Sequence, residues 1–278
     1  MDSESPARRG RLHGFSINRL IPNILTLAAL CSGLTAIRFA LQGEMRLAVI
    51  AIIVAAIFDA LDGRVARRLG VTSRFGAELD SLSDFLCFGV TPALVLYLAS
   101  LKDGGALGWV VTLMFPICSA LRLARFNTAL VSDTPPPVWT GSFFTGVPAP
   151  AGALLALIPL MVSFEIEAAW PRHALLVGAV LVVVGGLMVS RIPTYSFKKG
   201  RVPRNLVLPA LLGAALVMGV IASAPWIGMS LIGLAYVSLI PFSWMAYRRQ
   251  AAQDRRAAEK PGEVVSLRSV DAGPSTQG

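Results

Sequence analysis

The sequence predicts an all-α protein that crosses a membrane several times. Of its 278 residues, 55% are hydrophobic and only 15% are charged, and the mean hydropathy is +0.66. A soluble domain would carry about 25% charged residues. Apolar stretches close to the length of a membrane-spanning helix recur along most of the chain. They are too long and continuous for the strands of a membrane barrel, so we expect a polytopic helical bundle.

Eight transmembrane helices are predicted, and they divide the chain into three parts. The first is a polar, partly amphipathic juxtamembrane segment at 1–19, the second is the membrane domain at 20–246, and the third is a basic tail at 247–278. The tail is poor in apolar residues and rich in Gly, Ser and Pro towards its end, so we expect it to be disordered. The predicted spans are 20–41, 47–66, 77–100, 107–128, 147–165, 173–190, 205–222 and 226–246.

The distribution of lysine and arginine predicts the orientation in the membrane. With the N-terminus inside, 21 of the 25 basic residues fall in inside segments. Both termini and the loop near residue 70 are therefore expected to face the cytoplasm, in the inner membrane of the cell. The formal net charge of +9 is explained by contact with lipid headgroups, and no nucleic-acid-binding module is present. The inside segments are 1–19, 59–76, 122–146, 191–204 and 247–278.

Residues 59–84, DALDGRVARRLGVTSRFGAELDSLSD, carry four aspartates in two pairs. Asp59 and Asp62 are three residues apart, and Asp80 and Asp84 are four apart, so each pair lies on one face of a helix. Four carboxylates near hydrocarbon repel one another unless cations lie between them. A pair of divalent ions is the simplest counter-charge. The alternative, a network of helix caps, does not explain four aspartates at one membrane depth.

The pattern D-x2-D-G-x2-A-R-x8-G-x3-D-x3-D in this segment resembles the signature of the CDP-alcohol phosphatidyltransferases. The resemblance implies an enzyme that transfers the lipid phosphate of a CDP-linked lipid to an alcohol, with two Mg²⁺ or Mn²⁺ ions. It implies that Asp59, Asp62 and Asp80 bind metal. Asp84 is expected to complete the second metal site and to accept the proton of the attacking hydroxyl, which makes it the catalytic residue.

The same resemblance assigns the residues that bind the donor, CDP-diacylglycerol. Asn23 belongs to a PN-x2-T pattern at residues 22–26 that similar enzymes share. Within the motif, small residues leave room for the nucleotide, an arginine suits phosphate, and a serine contacts the nucleotide in similar enzymes. The donor-binding residues are thus predicted to be Asn23, Gly63, Ala66, Arg67 and Ser73.

Three further stretches resemble the serine-transferring branch of the family: RLARFN at 122–127, FTGVPAPAG at 144–152 and SRIPTYSFKKG at 190–200. They predict L-serine as the acceptor, with phosphatidylserine and CMP as products. Another acceptor, glycerol 3-phosphate or an inositol phosphate, stays open because the chain has many basic residues. A cation transporter is disfavoured because the aspartates share one membrane face and the motif does not repeat. The candidate acceptor-binding residues are Arg122, Arg125, Asn127, Arg191, Tyr195 and Lys198. The resemblance also implies a homodimer.

Overall fold

A computed structural model describes residues 20–71, 73–131, 143–166, 168–190, 193–195 and 207–258. Within these ranges the chain is almost entirely helical, and two short strands complete it. The helices are α1 Leu20–Leu41, α2 Met45–Leu69, α3 Arg74–Asp84, α4 Thr91–Leu96, α5 Gly105–Val131, α6 Ala149–Ala156, α7 Ile158–Val162, α8 Ala174–Val189, α9 Val207–Ser223 and α10 Pro225–Ala258; the strands are β1 Phe143–Thr145 and β2 Pro193–Tyr195.

All eight predicted spans fall on helices, which confirms an all-α bundle with several apolar helices. The predicted span at 147–165 consists of two short helices, α6 and α7, that meet at Leu157. Among the described residues, three helical stretches are long and apolar enough to cross a membrane: Leu20–Leu41, Arg74–Thr128 and Pro225–Met245. Ala174–Val189 and Val207–Ser223 are shorter apolar helices. The number of membrane crossings stays a prediction.

The 55-residue stretch from Arg74 to Thr128 is a helical hairpin rather than one straight helix. Two π-helical segments, Phe85–Val90 and Tyr97–Leu101, flank α4 and join α3 to it without a break. The chain then reverses at Gly105, whose φ of 58° is a conformation that glycine adopts readily. The reversal packs α5 back against α4 and the first π-helical segment.

Small residues allow α1 to lie close to its neighbours. Four of them recur at intervals of three or four residues and form one buried face of α1. A Cβ at Gly33 would lie 2.6 Å from the Sγ of Cys87, so the helix surface there fits only a hydrogen. The close packing holds α1 against α2 and against the helix that begins at α3, the two elements that carry the aspartates. The face consists of Ala29, Gly33, Ala36 and Ala40.

The two strands form an antiparallel hairpin-like contact that the sequence did not predict. Phe143 pairs with Tyr195, and Thr145 pairs with Pro193. Gly146 follows β1 with a φ of 79°, and a Cβ there would lie 2.6 Å from the carbonyl oxygen of Met188. The pairing therefore fixes the start of α6 against the end of α8.

Helix α10 is longer than the span predicted at 226–246. It continues through residues that were expected to belong to a disordered tail and ends at Ala258. The added segment, YRRQAAQDRRAA, is rich in alanine, arginine and glutamine, which have high intrinsic helix propensity. The remaining tail, 259–278, and the segment 1–19 lie outside the described residues.

Candidate active site

A tight connection between α2 and α3 brings the two halves of the aspartate motif together. Helix α2 ends at Gly70, which has a left-handed φ of 63° and donates its N–H to the carbonyl of Ala66. Helix α3 begins after Ser73, whose side chain accepts a hydrogen bond of 3.0 Å from the N–H of Gly76. The few residues between these two caps reverse the direction of the chain. Asp80 and Asp84 on α3 therefore lie at the same depth in the bundle as Asp59 and Asp62 on α2.

All four aspartates converge at this place. Carboxylate oxygens of Asp59, Asp62 and Asp80 lie within 4.8 Å of one another. Asp84 lies within hydrogen-bonding reach of Asp59, and its Oδ1 is buried without a hydrogen-bond partner among the described residues. Removing several like charges from water is costly unless an opposite charge is close. The cluster therefore has the geometry of a cation site, as the motif predicted.

The chemistry of these groups suits a hard divalent ion. The four side chains offer only carboxylate oxygens, which magnesium, calcium and manganese prefer to nitrogen or sulfur. Asp62 is 4% exposed, so its carboxylate has little access to water as a substitute for a ligand. The buried, unpartnered Oδ1 of Asp84 is a further free acceptor beside the cluster. Asp59, Asp62 and Asp80 are the residues that this arrangement assigns to a metal, with Asp84 next to them.

Thr26 of α1 orients one of the carboxylates, a role that the sequence did not assign to it. Its hydroxyl donates to Oδ2 of Asp62 over 2.6 Å, and its backbone carbonyl accepts a 3.4 Å hydrogen bond from Ser83 of α3. Thr26 thus links α1 to both aspartate-bearing helices. The PN-x2-T pattern contained this residue, but no spacing rule connects it to an aspartate 36 positions later.

A cavity of about 480 Å³ opens beside the cluster and contains every predicted donor-binding residue. A Cβ at Gly63 would lie 3.2 Å from Nη1 of Arg67, and one at Gly76 would lie 3.0 Å from Oδ1 of Asn23. The two glycines therefore keep this cavity open beside the polar groups that line it. The lining consists of Pro22, Asn23, Thr26, Asp62, Gly63, Ala66, Arg67, Val71, Ser73, Gly76, Ala77 and Asp80.

Arg122 belongs to α5, which does not line the cavity, and its side chain extends to the aspartate cluster. Its guanidinium interacts electrostatically with Asp84 and with Tyr236 of α10. Its Nε is buried and has no hydrogen-bond partner among the residues that the structure describes. A buried donor of this kind is costly to leave unpaired. Arg122 is thus a candidate acceptor-binding residue that interacts directly with one of the aspartates.

Arg125 and Asn127, the other two candidates on α5, are engaged with the protein itself. Arg125 donates from Nη1 to the carbonyl of Val189 over 2.9 Å and from Nη2 to that of Ser190 over 3.0 Å. These bonds cap the end of α8, where a cation is favourable. Asn127 donates from Nδ2 to the hydroxyl of Ser81 over 3.0 Å and so ties α5 to α3 next to Asp80.

The remaining candidates lie at the edge of the described chain. The backbone of Tyr195 is part of β2, which begins a few residues after the Ser190 carbonyl that Arg125 binds. Arg191 and Lys198 lie outside the described residues. The structure therefore brings all the predicted donor-binding residues to one cavity and brings one of the predicted acceptor-binding arginines to the aspartates.

Comparison with known proteins points to one family. A model of the CDP-alcohol phosphatidyltransferase family matches residues 19–189, and a second model, CDP-alcohol phosphatidyltransferase 2, matches residues 205–241. A relative from Mycobacterium leprae named CDP-diacylglycerol–serine O-phosphatidyltransferase is 38% identical over 85% of this chain and 80% of its own length. Relatives of the same name are 37% identical in Mycobacterium tuberculosis, over 92% of this chain and 91% of theirs, and 34% identical in Helicobacter pylori, over 71% and 81%.

Proposed function

Because the chain belongs to the CDP-alcohol phosphatidyltransferase family, we propose that it transfers the phosphatidyl group of CDP-diacylglycerol to L-serine. The products are phosphatidylserine and CMP. The observation that carries the proposal is the cluster of four aspartates beside a cavity that contains all the donor-binding residues. Relatives named for the same reaction, each aligned over most of its own length, support serine as the acceptor.

The cavity of about 480 Å³ has the size and lining for the CDP part of the donor. Asn23 and Ser73 offer polar groups to the nucleotide, and Gly63 and Ala66 leave its path free. Arg67 provides a fixed positive charge for phosphate. In this pose the diphosphate points towards Asp62 and Asp80, which belong both to the cavity lining and to the carboxylate cluster.

Two divalent cations, Mg²⁺ or Mn²⁺, are held by Asp59, Asp62, Asp80 and Asp84 in this proposal, and when bound they neutralise the diphosphate and stabilise charge on the leaving oxygen. The protein orients the ligands itself, since the hydroxyl of Thr26 fixes one oxygen of Asp62. Fixing a carboxylate through a neighbouring hydrogen bond is the usual way in which proteins tune a metal ligand.

The reaction is a substitution at the phosphorus that carries diacylglycerol. The serine hydroxyl oxygen forms the new bond to phosphorus, the bond from phosphorus to the bridging oxygen of CMP breaks, and CMP leaves. Asp84 accepts the hydroxyl proton. Its Oδ1 has the position for this role because it is buried at the cluster and no described residue donates to it.

Two unpaired atoms support an amino acid as the acceptor. Oδ1 of Asp84 is a buried acceptor, and Nε of Arg122 is a buried donor, and the two side chains interact electrostatically. A molecule with a hydroxyl and a carboxylate can satisfy both atoms at once: the hydroxyl donates to Asp84, and the carboxylate accepts from Arg122. We assign Arg122 to the serine carboxylate on this basis. Arg191, Tyr195 and Lys198 stay predicted contributors.

We also propose a setting for the enzyme. We place it in the inner membrane, and the count of basic residues supports an orientation with both termini and the aspartates on the cytoplasmic side. All the donor-side residues come from a single chain, so the homodimer that the family resemblance implies would contain one site per protomer. Labelling of single cysteines introduced before α1 and after α10 tests the orientation, and light scattering in detergent tests the dimer.

A radiolabel assay tests the reaction. The purified protein in detergent, with CDP-diacylglycerol, labelled L-serine and Mg²⁺ or Mn²⁺, is expected to give a labelled phospholipid and an equal amount of CMP. Parallel reactions with glycerol 3-phosphate or an inositol phosphate identify the acceptor. CMP release with one of these and not with serine would overturn the serine assignment. CMP release at the same rate when no acceptor alcohol is added would mean that the protein hydrolyses CDP-diacylglycerol, and this result would overturn the proposed transfer.

A further inference from the structure

The two helices that carry the aspartates are held in place mainly by α1. Asp59 and Asp62 lie on α2, and Asp80 and Asp84 lie on α3. Helices α2 and α3 have few contacts with each other, and both pack along α1. The position of one aspartate pair relative to the other therefore depends on how each helix is attached to α1.

Among the described residues, three buried side chains attach α3 and the helix that continues it to α1, because each donates a hydrogen bond to a backbone carbonyl of α1. A carbonyl oxygen has two lone pairs, so it can accept such a bond in addition to the bond within its own helix. We call these three bonds the α1 ladder. They run from the side chain of Ser83 to the carbonyl of Thr26 over 3.4 Å, from Cys87 to Ala29 over 3.3 Å and from Thr91 to Gly33 over 3.4 Å.

The π-helical segment Phe85–Val90 keeps the α1 ladder on one face of its helix. Ser83 and Thr91 are eight residues apart, and in a regular α-helix this separation would turn one away from the other by about 80°. The wider turn absorbs one residue, so the two side chains lie as residues seven apart do, on the same face. The bonds follow one another in the same order on both helices, so sliding of α3 along α1 would break all of them.

Within the described chain, the first bond of the α1 ladder is the one that leads on to an aspartate. Ser83 lies directly before Asp84 and donates to the carbonyl of Thr26, whose hydroxyl donates to Oδ2 of Asp62 over 2.6 Å. Two hydrogen bonds through α1 therefore join Asp62 on α2 to the aspartate-bearing turn of α3. The other two bonds end on an alanine and a glycine, which have no polar side chain that could extend the contact.

We propose that Ser83 is a positioning residue for the metal site, and that its bond to Thr26 sets the spacing between the aspartate pair of α2 and the aspartate pair of α3. This inference rests on the proposed function, because it takes the four carboxylates as ligands of divalent cations. Without a cation, the two pairs repel each other. A bond that resists their separation keeps the ligands together before the cation binds, and so raises its affinity.

Binding of Mn²⁺ to the purified protein in detergent, without substrate, is the first test. For Ser83→Ala we expect the Kd for Mn²⁺, measured by electron paramagnetic resonance, to rise about fivefold relative to wild type. Thr91→Val is the matched control, because it removes a buried hydroxyl with a bond of the same length at the far end of the α1 ladder. It should lower the melting temperature about as much as Ser83→Ala does, and it should change the Kd less than about twofold.

Ser83→Cys is a second variant at the same position. It keeps a donor of the kind that Cys87 uses towards Ala29. Because a thiol is a weaker donor than a hydroxyl, the Kd for Mn²⁺ should lie between those of wild type and Ser83→Ala. This variant also tests the inference if Ser83→Ala does not fold, since a Kd equal to that of wild type would then contradict it.

A double variant tests the path through Thr26. Thr26→Val removes the hydroxyl that reaches Asp62, so adding Ser83→Ala to it should weaken Mn²⁺ binding no further. Equal Kd values for wild type and Ser83→Ala would overturn the inference and leave the transfer reaction untouched. Equal losses in Ser83→Ala and Thr91→Val would also overturn it, because Ser83 would then only hold the helices together. Absence of Mn²⁺ binding to the wild-type protein would overturn the metal site of the proposed function, and the inference with it.

Discussion

The proposed donor side and the proposed acceptor side of the active site are built in different ways. The donor side lies on α1, α2 and α3, and the side chains that line it face an open cavity. Of the predicted acceptor-binding residues that the structure describes, Arg125 and Asn127 of α5 bind other parts of the protein, and Arg122 has a buried, unpaired donor. Similar polar residues therefore differ in their environment: some face the cavity that we propose for the substrate, and others fix the helices around it.

The largest expected effect comes from the aspartates that the two sides share. Asp84→Asn keeps the shape of the side chain but removes the proton acceptor, so we expect turnover to fall about 10²- to 10⁴-fold. Binding of Mn²⁺, followed by electron paramagnetic resonance, should be weakened far less. Asp103→Asn, at an exposed position in the turn at the other end of the α3–α5 hairpin, is the control and should be fully active. Full activity of Asp84→Asn would remove Asp84 as the base.

On the donor side, Thr26→Val removes the hydroxyl that donates to Asp62 over 2.6 Å. A hydrogen bond to a charged group contributes about 1.5–3 kcal/mol, so kcat/KM for CDP-diacylglycerol should fall about 10- to 100-fold. More divalent metal should be needed for half-maximal rate, while the KM for serine stays the same. Thr26→Ser should restore the rate. Thr35→Val removes a hydroxyl that bonds only within α1, to the carbonyl of Cys31, and should have no effect.

On the acceptor side, Arg125→Ala removes both hydrogen bonds to the end of α8. Because β2 begins just after those carbonyls, we expect the KM for serine to rise about tenfold while the KM for CDP-diacylglycerol is unchanged. Arg125→Lys should recover part of the loss, since a lysine donates to one carbonyl at a time. Arg172→Ala removes an arginine that bonds to Ser163 and not to the active site, and should leave both KM values unaltered. Equal increases in both would contradict a difference between the two sides.

The smallest effect on activity is expected for the hydrogen bond that joins α3 to α5. Ser81→Ala and Asn127→Ala each break the 3.0 Å bond between α3 and α5. Each should lower kcat a few-fold, corresponding to about 1 kcal/mol for a partly exposed hydrogen bond. The double variant should be no worse than the single ones, because both remove the same contact. Additive losses would show that Asn127 has a second role, such as contact with serine.

The difference between the two sides also explains which site residues can be predicted from the sequence. Asp59, Asp62, Asp80 and Asp84 were predicted together because they are close in the chain and share helix faces. Thr26, which holds Asp62, lies 36 residues before it, and the Arg125 contacts span 64 and 65 residues. Such distant pairs depend on how the helices pack, and no local pattern encodes that.

The same limit applies to the fold. Hydropathy predicted where the helices lie, because each apolar segment must satisfy its own backbone in lipid. It did not predict the contact between β1 and β2, which depends on two three-residue segments about 50 positions apart in the chain meeting at one end of the bundle. Hydropathy also predicts the end of the last span at 246, whereas α10 continues to Ala258 through polar residues that favour helix.

The π-helical segment Phe85–Val90 begins immediately after Asp84. A turn of this kind accommodates one more residue than an α-helical turn, and it occurs often near functional sites. The extra residue is absorbed within the turn, so α3 and α4 keep their relative orientation although one more residue lies between them. Deleting one residue from this segment would return the helix to regular α geometry and leave the direction of Asp80 and Asp84 relative to α4 unchanged. A one-residue gap here is therefore one that a functional relative should tolerate.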